Sequence, residues 1–142
     1  MIKKGQTLLV IDAMKTMNEI DLIFKSMEIR SGTRSYTLHK LLLEGELEFV
    51  KTSILDDYQN KALTGADWSL ISEQTDIVVF TDHIFEEDAI VKRLQNFEII
   101  CAMRERTPFT SSLIEKLPKL KLIISSGMRN RAIDVEAAKN NN

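Results

Sequence analysis

The stretch "DIVVFTDHIFEEDAIVKRLQNFEIICAM", residues 76–103, decides the fold. Ile77, Val78, Val79 and Phe80 form a β-branched and aromatic run, which predicts a strand. "EEDAIVKRLQNF", residues 86–97, reads as a helix. Glu86, Glu87 and Asp88 stand in its first turn and Lys92 and Arg93 near its end, the arrangement a helix dipole favours. Ala89, Ile90, Leu94 and Phe97 recur at helical spacing and mark one apolar face. "EIICAM", residues 98–103, is a second apolar run. Strand, helix and strand in succession imply a crossover between parallel strands.

The same grammar extends in both directions. Residues 53–55 read as the end of a strand, followed by the polar "DDYQN". "TSSLIEKL", residues 110–117, reads as a short helix with Thr110 or Ser112 as N-cap. The Ser112 to Glu115 spacing fits a capping box, and Pro118 ends the helix. Residues 120–124 form another strand, and "AIDVEAAKNNN" begins a further helix after a glycine-containing loop. From residue 51 onward the chain is therefore α/β, a parallel sheet with flanking helices. Residues 1–50 differ. "GQTLLVI" and the stretch after Lys15 read as two strands of a hairpin. In "YTLHKLLLEGELEFV" Leu38, Leu41 and Leu42 have helical spacing, while Leu41, Leu42 and Leu43 equally suit a buried strand ending at Gly45. No repeat and no Pro/Gly/Ser tract separates 1–50 from 51–142.

Composition narrows the partners. Hydrophobic residues are 44%, charged residues 28% and the net charge is -2, which suits a globular domain. Such a charge attracts neither a nucleic-acid backbone nor an anionic membrane, so neither partner is expected. Cys101 is the single cysteine, so no internal disulfide forms, as suits a cytoplasmic location. It lies among Ile99, Ile100 and Ala102 and reads as a small buried hydrophobe. The apolar run after Lys3 and Lys4 stops at Asp12, too short for a signal segment or a membrane span. No metal-ligand spacing is present. His83 reads as a surface or loop-packing residue. Trp68 and Phe85 read as core or interface anchors, and Met14, Met17 and Met27 as gap fillers.

Four segments carry a resemblance in order and spacing: "ILDDYQNKAL", "DIVVFTDH", "AMRERTPFTSSLIEKLPKLKLI" and "SSGMRNRAIDVEAA". Over residues 53–142 the chain resembles the D-isomer-specific 2-hydroxyacid dehydrogenases. The resemblance implies the first part of a substrate-binding domain, an incomplete flavodoxin-like sheet. The family's GxGxxG site and its catalytic arginine, glutamate and histidine lie downstream of the matching region. It follows that NAD or NADP, the family's cofactor, is not bound by this chain alone, that no catalytic residue is assigned, and that the chain is inactive by itself. His83 is not the family's catalytic histidine. Substrate recognition remains. Two loops, 103–109 and 125–131, follow strands at the end where ligands of open parallel sheets sit, and the resemblance implies that they face the interdomain cleft. Met103, Arg104, Glu105, Arg106, Ser126, Gly127 and Met128 are the residues expected to bind a small 2-hydroxy or 2-oxo acid, through backbone N–H groups on its carboxylate. Gly127 permits close backbone approach. Arg104, Arg106, Arg129 and Arg131 crowd the rim and attract an anion.

The opening half carries another resemblance. "KKGQTLLVIDAMKTMNEI" is similar to the signature of a biotinyl domain, with Lys15 at the biotin-acceptor position, and "SGT" and "LLLEGELEFV" resemble the strands that follow. The preceding half of that domain is absent, and "DLIFKSMEIR" intrudes. Residues 1–50 are thus expected to be a β-rich partial biotinyl-like segment, with biotin on Lys15 as the alternative function. A third reading is a non-catalytic domain that forms a homodimer or self-associates through a sheet edge left open.

Overall fold

A computed structural model describes residues 9–13, 29–31, 34–36, 50–65, 68–69, 71–72, 75–126 and 130–141. Its strands are β1 (Leu9–Ala13), β2 (Ile29–Ser31), β3 (Arg34–Tyr36), β4 (Val50–Ile54), β5 (Thr75–Val79), β6 (Ile99–Ala102) and β7 (Leu122–Ser126). The helices are α1 (Glu87–Leu94), α2 (Ser111–Glu115) and α3 (Val135–Asn140). Five strands form one parallel sheet in the order β1-β7-β6-β4-β5, while β2 and β3 pair antiparallel apart from it. With β4 counted first, β5, β4, β6 and β7 follow the flavodoxin-like order 2-1-3-4. β1 takes the fifth position. The chain leaves β4 toward β5 on one side and returns to β6 on the other, so the strand order reverses between β4 and β6.

Burial on both faces explains the uninterrupted apolar runs. In β4 Thr52, Ser53 and Ile54 are all buried. One face of the sheet, with Leu55, Ile100, Ala102 and Ile123, packs into a single core with Ile90 and Leu94 of α1, Leu113 and Ile114 of α2, and Ala138 of α3. Each such large side chain, fully buried, contributes about 2 kcal/mol relative to exposure. Phe97 joins this core from the turn after α1 and meets Phe80 edge-on.

Several expectations change in detail. Ala89 is exposed, so the apolar face of α1 narrows to Ile90 and Leu94, with Val91 at its margin. Thr110 is the N-cap of α2, its hydroxyl accepting from Leu113 N at 3.2 Å. Ser112 makes no capping box; its hydroxyl donates to Glu87 Oε1 at 2.7 Å, because α1 lies alongside. Asp134 caps α3 through Ala137 N. Phe85 is 86% exposed rather than in the core, because the chain turns outward between β5 and α1. Trp68 is half-buried and donates from Nε1 to Ala62 O. Burial pushes the Cys101 thiol up to about 12, as its apolar neighbours predict.

The opening segment departs furthest. Leu9–Ala13 is a strand, but its partner is β7, in parallel register from Leu9 opposite Leu122 to Ala13 opposite Ser126. The expected hairpin with the following stretch would need residues 14–28, which lie outside the described residues, as do Lys15, His39, Met14, Met17 and Met27. The sheet edge expected to lie open beside β7 therefore carries β1, whose backbone supplies the missing ladder. Among the described strands the edges of the large sheet are β1 and β5.

Candidate functional site

All five strands of the large sheet run parallel, so their following loops gather at one end. Where strand order reverses, those loops diverge and leave a crevice. Asp56 sits there, two residues beyond β4, with φ 57°. Aspartate is among the few residues that tolerate this left-handed backbone. It is 2% exposed, and a buried carboxylate without partners is costly. Here both oxygens are engaged. Oδ1 lies 2.7 Å from His83 Nδ1, from the loop after β5, and Oδ2 accepts from the Thr107 hydroxyl at 2.7 Å, from the loop after β6. The Asp56 carbonyl accepts from Arg106 Nη1 at 2.5 Å. The Arg106 guanidinium also lies over the Tyr58 ring, 4.4 Å from its centroid. The His83 ring meets Phe85 edge-on at 4.5 Å. His83 thus ties loops together, as the loop-packing reading anticipated.

The loops after β6 and β7 are stitched to each other. Arg104 also has φ 57°. Its carbonyl accepts from Asn130 Nδ2 at 2.6 Å, and the same amide donates to Ser125 Oγ at 2.8 Å. Asn130 Oδ1 accepts from Ala132 N, which fixes the orientation of the side-chain amide. Arg131 N donates to Glu105 Oε1 at 3.0 Å. Below them, Phe109 N donates to Ala132 O and Asp134 N to Phe109 O, forming a parallel bridge beside the buried Phe109 ring.

The structure thus brings Arg104 and Glu105 against the loop that carries Arg131. Met103 is half-buried; Arg104, Glu105 and Arg106 are exposed as residues. Ser126 ends β7, while Gly127, Met128 and Arg129 lie outside the described residues. The Arg106 guanidinium is held by the Asp56 carbonyl and the Tyr58 ring. Asp56, Thr107 and Asn130 were missed as site residues. Each follows a strand by only a few positions, and that placement in a parallel sheet was the available signal. A small indentation lined by Leu55, Asp56, Asp82, Ile84, Ile90, Arg93, Leu94 and Thr107 has room for only about 10 Å³, far below the roughly 300–1,000 Å³ usual for ligand pockets. Among the described residues no group of three or more His, Cys, Asp or Glu side chains could hold a metal ion, and no helix is long and apolar enough to cross a membrane.

The sequence profile of the D-isomer specific 2-hydroxyacid dehydrogenase catalytic domain matches residues 53–142. The chain belongs to this family. Two solved structures agree with the family assignment. Phosphoglycerate oxidoreductase from Vibrio cholerae O395 is similar at 38% identity and TM-score 0.58, covering 64% of this chain and 29% of its own. A putative D-3-phosphoglycerate dehydrogenase from Ralstonia solanacearum is similar at 32% identity and TM-score 0.55, covering 62% of this chain and 27% of its own. The chain therefore spans less than a third of either length. No curated protein matches. Dehydrogenases of this family typically use NAD(P), and act on small hydroxy or oxo acids. The five glycines are far apart in sequence, and no GxGxxG occurs.

Proposed function

We propose that this chain supplies the substrate-carboxylate wall of an NAD(P)-dependent D-2-hydroxyacid dehydrogenase, an oxidoreductase on the CH–OH group of a 2-hydroxy acid. One observation carries the reading: the loops after β6 and β7 are held together through Asn130 at the C-terminal ends of the strands, beside the reversal of strand order. Ligands of open parallel sheets bind at such places. Arg104 and Arg131 put positive charge on the rim, where a carboxylate gains charge-assisted hydrogen bonds. The role of these residues is to bind and orient. The fixed loops hold the acid's carboxylate and leave its second carbon facing outward, where the nicotinamide ring of a separate domain would accept or donate hydride. Proton transfer to or from the substrate oxygen is assigned to no residue of this chain.

The experiment is a titration of the isotope-labelled chain with pyruvate, followed by amide NMR. Shifts confined to residues 103–107 and 125–131, with a dissociation constant on the order of millimolar, are expected. Uniform weak shifts over the surface, or none, would sink the reading. No hydride transfer from NADH is expected from the chain alone.

A further inference from the structure

The loop 103–109 is held more tightly than its exposure requires. Arg104, Glu105 and Arg106 are exposed, so core packing does not fix them. The stretch is nonetheless gripped at each of its residues from 104 to 107: Arg104 O by Asn130, Glu105 Oε1 by Arg131 N, the Arg106 guanidinium by Asp56 O, and the Thr107 hydroxyl by Asp56 Oδ2. Two of these grips come from Asp56. Asp56 is in turn fixed on its other oxygen by His83. It sits at the end of β4, the strand beside β6 across the reversal point. An exposed stretch with a left-handed residue, Arg104, and buried anchors is the geometry of a preorganised binding loop, one that loses little freedom when its ligand arrives.

We propose that Asp56 is the positioning residue for the substrate loop: it sets the backbone from Met103 to Thr107, touching no substrate itself. The proposal rests on the reading of that loop as the carboxylate wall. Three substitutions separate its parts. Asp56→Gly keeps the left-handed backbone accessible and deletes the carboxylate. Asp56→Asn also tolerates that backbone and still offers an oxygen to Thr107. Thr107→Val removes one grip at nearly constant shape.

The test is amide NMR, hydrogen exchange and pyruvate titration on the full chain. In Asp56→Gly, amides 103–107 shift and exchange about tenfold faster, while those of α1 keep their protection; pyruvate binds about tenfold more weakly, as for the loss of one to two hydrogen bonds. Asp56→Asn restores affinity to within about threefold, and Thr107→Val falls between. A folded Asp56→Gly chain with unchanged exchange at 103–107 overturns the proposal. If that variant does not fold, unchanged exchange at 104–107 in Thr107→Val overturns it instead. If the unsubstituted chain does not bind pyruvate, the carboxylate-wall reading fails, and the exchange measurements still decide whether Asp56 sets the loop.

Discussion

Asp56 and Glu87 are both acidic residues that collect three partners from other parts of the chain, Asp56 two on its carboxylate and one on its backbone carbonyl, but they do so in different solvents. Asp56 is buried at the reversal of strand order and gathers His83, Thr107 and Arg106 from two loops. Glu87 lies at the start of α1, near the surface, and gathers Ser112, Thr110 and Lys116 from α2 and its flanks. Lys116 reaches Asp88 as well. Distances are alike; worth is not. In water each hydrogen bond exchanges for another of similar strength, and salt screens the charge. Away from water, the alternative to each bond at Asp56 is an unsatisfied group. Deleting a buried hub therefore strands its partners, whereas deleting an exposed one rehydrates them.

The largest test is Asp56→Ala. It removes both carboxylate contacts and places alanine at φ 57°. A loss of about 3 kcal/mol in urea denaturation is expected, from the stranded partners and the left-handed backbone together. Next comes Thr107→Val, which leaves Asp56 one donor short and should cost about 1–2 kcal/mol by the same measurement. Lys116→Met should shift the midpoint far less, and 1 M salt should erase the difference from the unsubstituted chain. An Asp56 effect equally erased by salt would break the comparison.

The exposed cluster also makes a pH prediction. Hydrogen bonds from Lys116, and then Ser112, hold Glu87 below its usual 4.5, and those to Glu87, and then Asp88, hold Lys116 above its usual 10.5. A carboxylate lowered on folding stabilises the fold above its unfolded value and loses that contribution as pH falls through the folded one. A raised lysine stabilises below its unfolded value and loses that contribution as pH rises through the folded one. The small difference between the chain and Lys116→Met should thus be level from about pH 5 to about pH 10 and fade on either side, as read from urea midpoints. The smallest expected effect is at Lys15. The strand before it pairs with β7 in the parallel sheet. A biotin ligase should therefore add no mass to the chain; a biotin adduct lost in Lys15→Arg would reverse that expectation.

The parallel sheet was legible because burial on both faces demands continuous apolar runs, and Ile77 to Val79, Ile99 to Ala102 and Leu122 to Ile124 are such runs. The helices were legible from their charged ends and spacing, except where Ala89, small enough to be indifferent, fell on the wet side. The partner of Leu9–Ala13 was not legible. A short apolar run tells that a strand is buried, not which strand lies beside it. Of the two readings of Phe85, core or interface anchor, its exposure removes the first. The loops after β6 and β7 could be singled out by resemblance, but the Asp56 hub beside them could not. Asp56, His83, Thr107 and Asn130 are far apart in sequence and meet only because four strands end together.

The pairing of β1 with β7 has a consequence in time. Among the described strands of the sheet, the first in sequence pairs with the last, with every other one between them along the chain. Contacts so distant along the chain close slowly, because the loop between them must lose its freedom before the ladder forms. β6 and β4 can meet β7 and β5 over shorter stretches. Leu9–Ala13 should therefore dock late in refolding, with amide protection at Val10 and Ile11 lagging that at Ile100 and Ile123 in a pulse-labelling experiment.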